Sequence, residues 1–213
     1  MSKGRLEAFS DGVLAIIITI MVLELKTPHE TTPDALAPLV PELLSYLLSF
    51  VHVGIYWNNH HHLFQAARHV NGRVLWANLH LLFWLSLIPF VTGWMGHTHF
   101  SAWPVAAYGV VLLFSGAAYY LLTLALIGHH GRTSTIGVAV GRDWKTRMSV
   151  VAYLVAVALA FVEPFVSCSL YALVAVVWLV PDRRIETTLK DDESGPAKRG
   201  GARSESSDGS GRN

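Results

Sequence analysis

Two stretches of the chain carry the residue types that could do chemistry. RLEAFSDGVLAIIITIMVLEL, residues 5–25, places Arg5, Glu7, Ser10 and Asp11 ahead of an almost unbroken apolar run. YWNNHHHLF, residues 56–64, sets two Asn and three successive His between aromatic residues. A guanidinium, a carboxylate, a hydroxyl and imidazoles permit metal binding, proton transfer or hydrogen bonding between helices. Imidazole suits Zn, Cu or Fe. Spacing argues against a metal, because consecutive helical residues point about 100° apart and do not converge on one ion. No Cys or carboxylate lies near the triplet, and His52, His69, His80, His97, His99, His129 and His130 are scattered. Neither a metal nor an organic cofactor is expected. Hydrogen bonding is the better role: His61 or His62, with Asn58 and Asn78, would satisfy Ser10 and Asp11 at one membrane depth.

Composition says what must position these groups. Of 213 residues, 52% are hydrophobic and only 15% charged, where soluble domains run near about 25% charged. Mean hydropathy is +0.41. An all-α integral membrane protein follows. A net charge of +1 gives no case for nucleic acid. The single cysteine, Cys168, lies in an apolar run and excludes a disulfide within the chain. Glu7 and Asp11 interrupt the first apolar stretch, so it reads as a retained helix and not as a cleaved signal.

A hydrocarbon core about 30 Å thick needs roughly 20 apolar helical residues. Six stretches meet or approach this, near 6–25, 36–58, 73–95, 103–127, 146–163 and 165–181. The last two are parted by a tight turn at Glu163–Pro164. Residues 1–181 form the membrane domain. From 182 the chain is rich in Gly, Ser and mixed charge, and it cannot bury enough surface to offset its ordering entropy. A disordered cytoplasmic tail is expected there. With six spans and the N-terminus inside, Lys3, Arg5, Arg68, Arg73, Arg132, Arg142, Lys145 and Arg147 fall on the cytoplasmic side and only Lys26 outside. Both termini are therefore expected in the cytoplasm.

The first helix has distinct faces. Ile16, Ile20 and Leu23 share a stripe that Phe9 and Val13 extend. Asp11 lies about 140° from Ile16, and Ser10 about 120° away in the other sense. Ionisable residues at the edge of a span usually face protein or water. Arg5 and Asp11 are six residues apart and cannot easily pair within one helix, so each needs partners elsewhere.

The pattern R-x-x-x-F-S-D at Arg5, Phe9, Ser10 and Asp11 resembles the signature of the transmembrane protein 175 family of potassium channels, in its single-repeat prokaryotic form. VLELKTP after the stripe and Y-W-x-x-H-H-x-L-F in the second helix are similar to that family too. The resemblance covers the six-helix region and leaves out the tail. It implies a six-helix subunit, four of which surround a pore lined by the first helix. Ile16, Ile20 and Leu23 would be a hydrophobic constriction, and Thr19 a polar layer linked to selectivity. Arg5, Phe9, Ser10 and Asp11 would be the scaffold motif, with Trp57, Asn58, His61, His62 and Asn78 as its partners.

Independently of the resemblance, the chain has no TVGYG-like carbonyl filter and no Arg-rich voltage-sensor helix. A channel built from it needs another device, such as a ring of isoleucines that gates by dewetting. The expectation is a homotetrameric cation channel in a prokaryotic plasma membrane, modestly favouring potassium over sodium, and not an enzyme. Its partners would be monovalent cations and membrane lipid. The alternative is a proton- or ion-coupled transporter using Asp11 and the His cluster.

Overall fold

The computed structural model describes residues 2–28, 31–67, 69–130 and 144–179. The expected tail, Arg68, Arg132 and Arg142 lie outside the described residues. Every regular element among the described residues is helical. The helices are α1 (Lys3–Leu23), a 3₁₀ segment (Pro33–Leu39), α2 (Val40–Gln65), α3 (Gly72–Ser86), α4 (Ile88–His97), α5 (Ala102–His130), α6 (Trp144–Leu159) and α7 (Pro164–Leu179). Among the described residues, four spans are long and apolar enough to cross a membrane: Lys3–Leu23, Pro33–Gln65, Gly72–His97 and Ala102–Gly128. Pro164–Leu179 is a shorter apolar helix.

Three boundaries differ from the expected ones. The second helix runs seven residues past 58, to Gln65. YWNNHHHLF is therefore interior helix and not its closing turn. No Gly or Pro interrupts it, and Leu63 and Phe64 are buried, so packing continues the helix. The third span is broken, because Pro89 lacks an N–H and cannot complete the helical ladder. α3 ends at Ser86, Leu87 caps it, and α4 restarts at Ile88 with Val91 N–H donating to Leu87 O at 3.2 Å. The sixth helix starts at Pro164, where its fixed φ suits a first turn, but its predecessor already stops at Leu159.

Helix α1 packs on α2, α3 and α4. α3 lies along α5, and α6 and α7 pack on each other and on α5. Thus α1 stands on one flank, with α2 and α5 between it and the last pair. Gly96 lets α4 approach α2 closely: a Cβ there would lie 2.6 Å from Ser45 Oγ and 2.9 Å from Glu42 Cα. Gly109 does the same for α5 against Tyr171.

Candidate functional site

The periodicity of α1 divides it into three arcs. Leu6, Ser10, Leu14, Ile17 and Met21 are buried against the neighbouring helices. They fall within an arc of about 80°. Phe9, Ile16, Ile20 and Leu23 form a second arc and are exposed, Ile16 by 58% and Leu23 by 81%. Between these arcs on the far side lie Gly4, Ala8, Gly12, Ala15 and Thr19, also exposed, and a Cβ built on Gly4 or Gly12 would meet nothing within 4 Å. Adjacent residues make the contrast plain: Ile17 is 3% exposed where Ile16 is open. Thr19 sits on the open side with its Oγ1 donating to Ile16 O at 2.9 Å. Its hydrogen is used within the helix, and its oxygen keeps acceptor capacity.

The buried arc is fastened by a directed hydrogen-bond chain across three helices. Ser10, Asn78 and His60 are all buried. His60 Nε2 lies 2.8 Å from Asn78 Oδ1. An amide oxygen only accepts, so Nε2 carries the proton. Asn78 Nδ2 donates to Ser10 Oγ at 2.9 Å, and Ser10 Oγ donates to Leu6 O at 3.0 Å. The chain thus runs from α2 through α3 to α1. His60 also packs on Phe64, ring centroids 4.5 Å apart.

Asp11 is held from outside this core. Trp57 Nε1 donates to Asp11 Oδ1 at 3.0 Å. The Trp57 ring stacks on His61 at 6.0 Å and 17°, and His61 Nε2 meets Gln65 Nε2 at 2.9 Å. Asn78 and Trp57 therefore stand where partners of Ser10 and Asp11 were expected. His61 is exposed and reaches Asp11 only through Trp57. Asn58 is exposed, His62 is half-buried, and neither is brought to Ser10 or Asp11. Arg5 is exposed and forms no ion pair with another described residue; the neighbouring pair is Lys3–Glu7 at 3.9 Å.

His60 is the residue that sequence reasoning missed. The buried residues of α2 step from Ser45 to Ser49, His52 and Val53, and then to His60, Leu63 and Phe64. His60 lies on that register, and His61 and His62 are turned away from it. Among the described residues, no three His, Cys, Asp or Glu side chains gather closely enough to hold a metal ion.

Comparison with known proteins gives the family of the chain. Residues 5–89 match the family described as endosomal/lysosomal potassium channel TMEM175. A potassium channel of Chryseobacterium sp. (strain P1-3) is 53% identical over 192 residues, covering 90% of this chain and 100% of that one. The chain belongs to the TMEM175 family. A second relative, a potassium channel of Streptomyces collinus, is 30% identical over 194 residues, covering 83% of this chain and 91% of its own. The fold matches the crystal structure of a lysosomal potassium-selective channel TMEM175 homolog from Chamaesiphon minutus. Its TM-score is 0.72 at 27% identity, over 83% of this chain and 96% of that one. The family assignment accounts for a multi-pass membrane protein with channel architecture.

Proposed function

We propose that four copies of this chain form a potassium channel of a prokaryotic plasma membrane, with α1 from each copy lining the conduction path. The observation that carries this reading is the uncovered face of α1. Elsewhere the open surface of the bundle bears large aromatics, including Trp76, Phe83, Phe90, Trp103 and Phe165, as a lipid-facing surface does. The open side of α1 sets Gly4, Ala8 and Gly12 at four-residue spacing beside a stripe of Phe9, Ile16, Ile20 and Leu23. Small residues so spaced let helices approach closely in a membrane. A second copy of α1 fits there, and the adjacent stripe then faces the axis.

In this arrangement Ile16, Ile20 and Leu23 form successive apolar rings. Four isoleucines offer no ligand to replace an ion's hydration shell, so conduction needs the rings to widen and closure needs only a dry gap. Thr19, with its oxygen free to accept, supplies a polar layer and a modest preference for potassium over sodium. Ser10, Asn78 and His60 hold the opposite face of the helix, and Asp11 is held by Trp57. The mechanism uses no cofactor and no catalytic group; potassium is the permeant ion. The distribution of Lys and Arg supports cytoplasmic termini.

The test is reconstitution of the purified chain into planar bilayers with potassium and sodium on opposite sides. A reversal potential displaced toward the potassium equilibrium value is expected. Saturating flux that requires a counter-ion would replace the channel by a coupled transporter. Native mass spectrometry should show four subunits, and dimers alone would remove the pore geometry.

A further inference from the structure

A partly open cavity of about 50 Å³ lies inside the subunit, between α2, α5, α6 and α7. His52, Tyr56, Gly116, Val150 and Trp178 are among its lining residues, and α1 contributes none. It is therefore separate from the face assigned to conduction. Most of its wall is apolar, and none of its lining residues is Asp, Glu, Lys or Arg.

One fully buried polar atom in this wall is unmatched. The His52 side chain is buried. Its Nδ1 lies 2.9 Å from Leu48 O. A carbonyl only accepts, so Nδ1 carries the proton and Nε2 keeps a lone pair. That Nε2 is buried and has no partner among the described residues. Three other polar side chains of the wall are engaged. Tyr56 Oη donates to Leu112 O at 3.4 Å, Trp178 Nε1 donates to Ser149 Oγ at 2.8 Å, and Ser149 Oγ donates to Lys145 O at 2.8 Å. The cavity thus joins a mostly apolar wall, which Asn59 and Tyr153 also line, to one buried acceptor without a partner, His52 Nε2.

We propose that this cavity is a binding site for one small uncharged molecule with an apolar body and a single hydrogen-bond donor, of the size class of a short-chain alcohol, its donor directed at His52 Nε2. Size follows from the volume, since a single water needs only about 10–15 Å³ of such space. Neutrality follows from the wall, because an ion there would lose its hydration with no opposite charge to meet it. The need for a donor follows from the tautomer. Such a molecule would bear on α2, the helix that also carries His60 and Trp57, and so on the support of α1.

The experiment uses the full chain in lipid nanodiscs, with 2-fluoroethanol and fluoroethane as probes observed by ¹⁹F NMR against empty nanodiscs. Saturable binding of 2-fluoroethanol is expected, at least tenfold tighter than that of fluoroethane. His52→Leu should abolish this preference while leaving the weak fluoroethane binding. Val150→Trp, which fills the cavity, should remove both. Comparing the two probes on the unaltered chain keeps the test valid if either variant fails to fold. Equal binding of the two probes would make the cavity a plain apolar hole. No saturable binding of either would leave water as the partner of His52. Binding of 2-fluoroethanol unchanged in Val150→Trp would place it elsewhere. Each of these three outcomes overturns the proposal.

Discussion

Asn78 Nδ2 donates to Ser10 Oγ across 2.9 Å, and this one bond joins two helices 68 residues apart in the chain. Both side chains are fully buried, and His60 Nε2 donates to the oxygen of the same amide at 2.8 Å. Replacing Asn78 by Leu would strand Ser10 and His60 together. An unpaired buried polar group costs about 1–3 kcal/mol. Asn78→Leu should therefore lower the thermal midpoint of the detergent-solubilised protein, and Ser10→Ala should do so less. Interhelical polar bonds in membranes average about 0.6 kcal/mol in coupling. A double-mutant cycle on Ser10 and Asn78 should return a value of that order. Additive single effects would mean that the two side chains are neighbours without being energetically linked.

Asp11 and Arg5 separate fold from assembly. Asp11 is fastened by Trp57, whereas Arg5 is exposed and pairs with no described residue. Asp11→Asn keeps an acceptor for the Trp57 N–H; Asp11→Ala does not. Asp11→Ala should reduce tetramer yield or current, and Asp11→Asn should restore much of both. Arg5→Ala should reduce tetramer yield with little change in the stability of the single subunit. Size-exclusion profiles with thermal melts distinguish these outcomes. If both alanine variants assemble and conduct like the parent, the two residues serve only to orient the chain in the membrane.

Close helix approach gives a third expectation. The Cβ of Gly96→Ala would meet Glu42 Cα at 2.9 Å, a backbone atom that moves only if α2 and α4 separate. Overpacking of this kind costs about 1–3 kcal/mol. Gly93 lies three residues earlier on the same helix, and its Cβ would meet only His97 Nδ1, at 3.9 Å. Gly93→Ala should thus be near neutral in the same melting assay. Equal behaviour of the two variants would show that α4 does not press on α2 at Gly96.

Much of this architecture was legible because membrane helices advertise themselves by long apolar runs. The helical period separates Ser10 from Ile16 on α1, and polar groups at matching depth offer Asn58, Asn78 and His61 or His62 jointly to Ser10 and Asp11; of these, Asn78 reaches Ser10. The histidine was misjudged by one position. An apolar stretch ending near 58 leaves the triplet outside the span, and hydropathy alone does not carry the buried register of the helix into it. Extended to Gln65, the buried steps from Ser49 through His52 and Val53 reach His60 directly. The break at Leu87 was missed because hydropathy continues smoothly through Pro89, and only the missing N–H marks it. The open cavity at His52 left no trace in the sequence, since it arises from four helices that meet far apart along the chain.

The exposed stripe of α1 supports the sharpest prediction. Ile16 and Ile17 are chemically identical and adjacent, yet one is open and the other buried. If Ile16 faces the pore axis, Ile16→Asn places four amides in a dry ring, and water can remain there. Basal leak should rise and discrimination between potassium and sodium should fall. Ile20→Asn should act the same way more weakly, if Ile16 is the narrower layer. Ile17→Asn turns about 100° into the subunit core and should impair folding without opening a pore. Thr19→Val keeps the shape of the side chain but removes its oxygen, so selectivity should weaken with little change in leak. Reversal potentials and liposome flux for these four variants provide the comparison. Leak in Ile17→Asn, with none in Ile16→Asn, would place the conduction path on another face of α1.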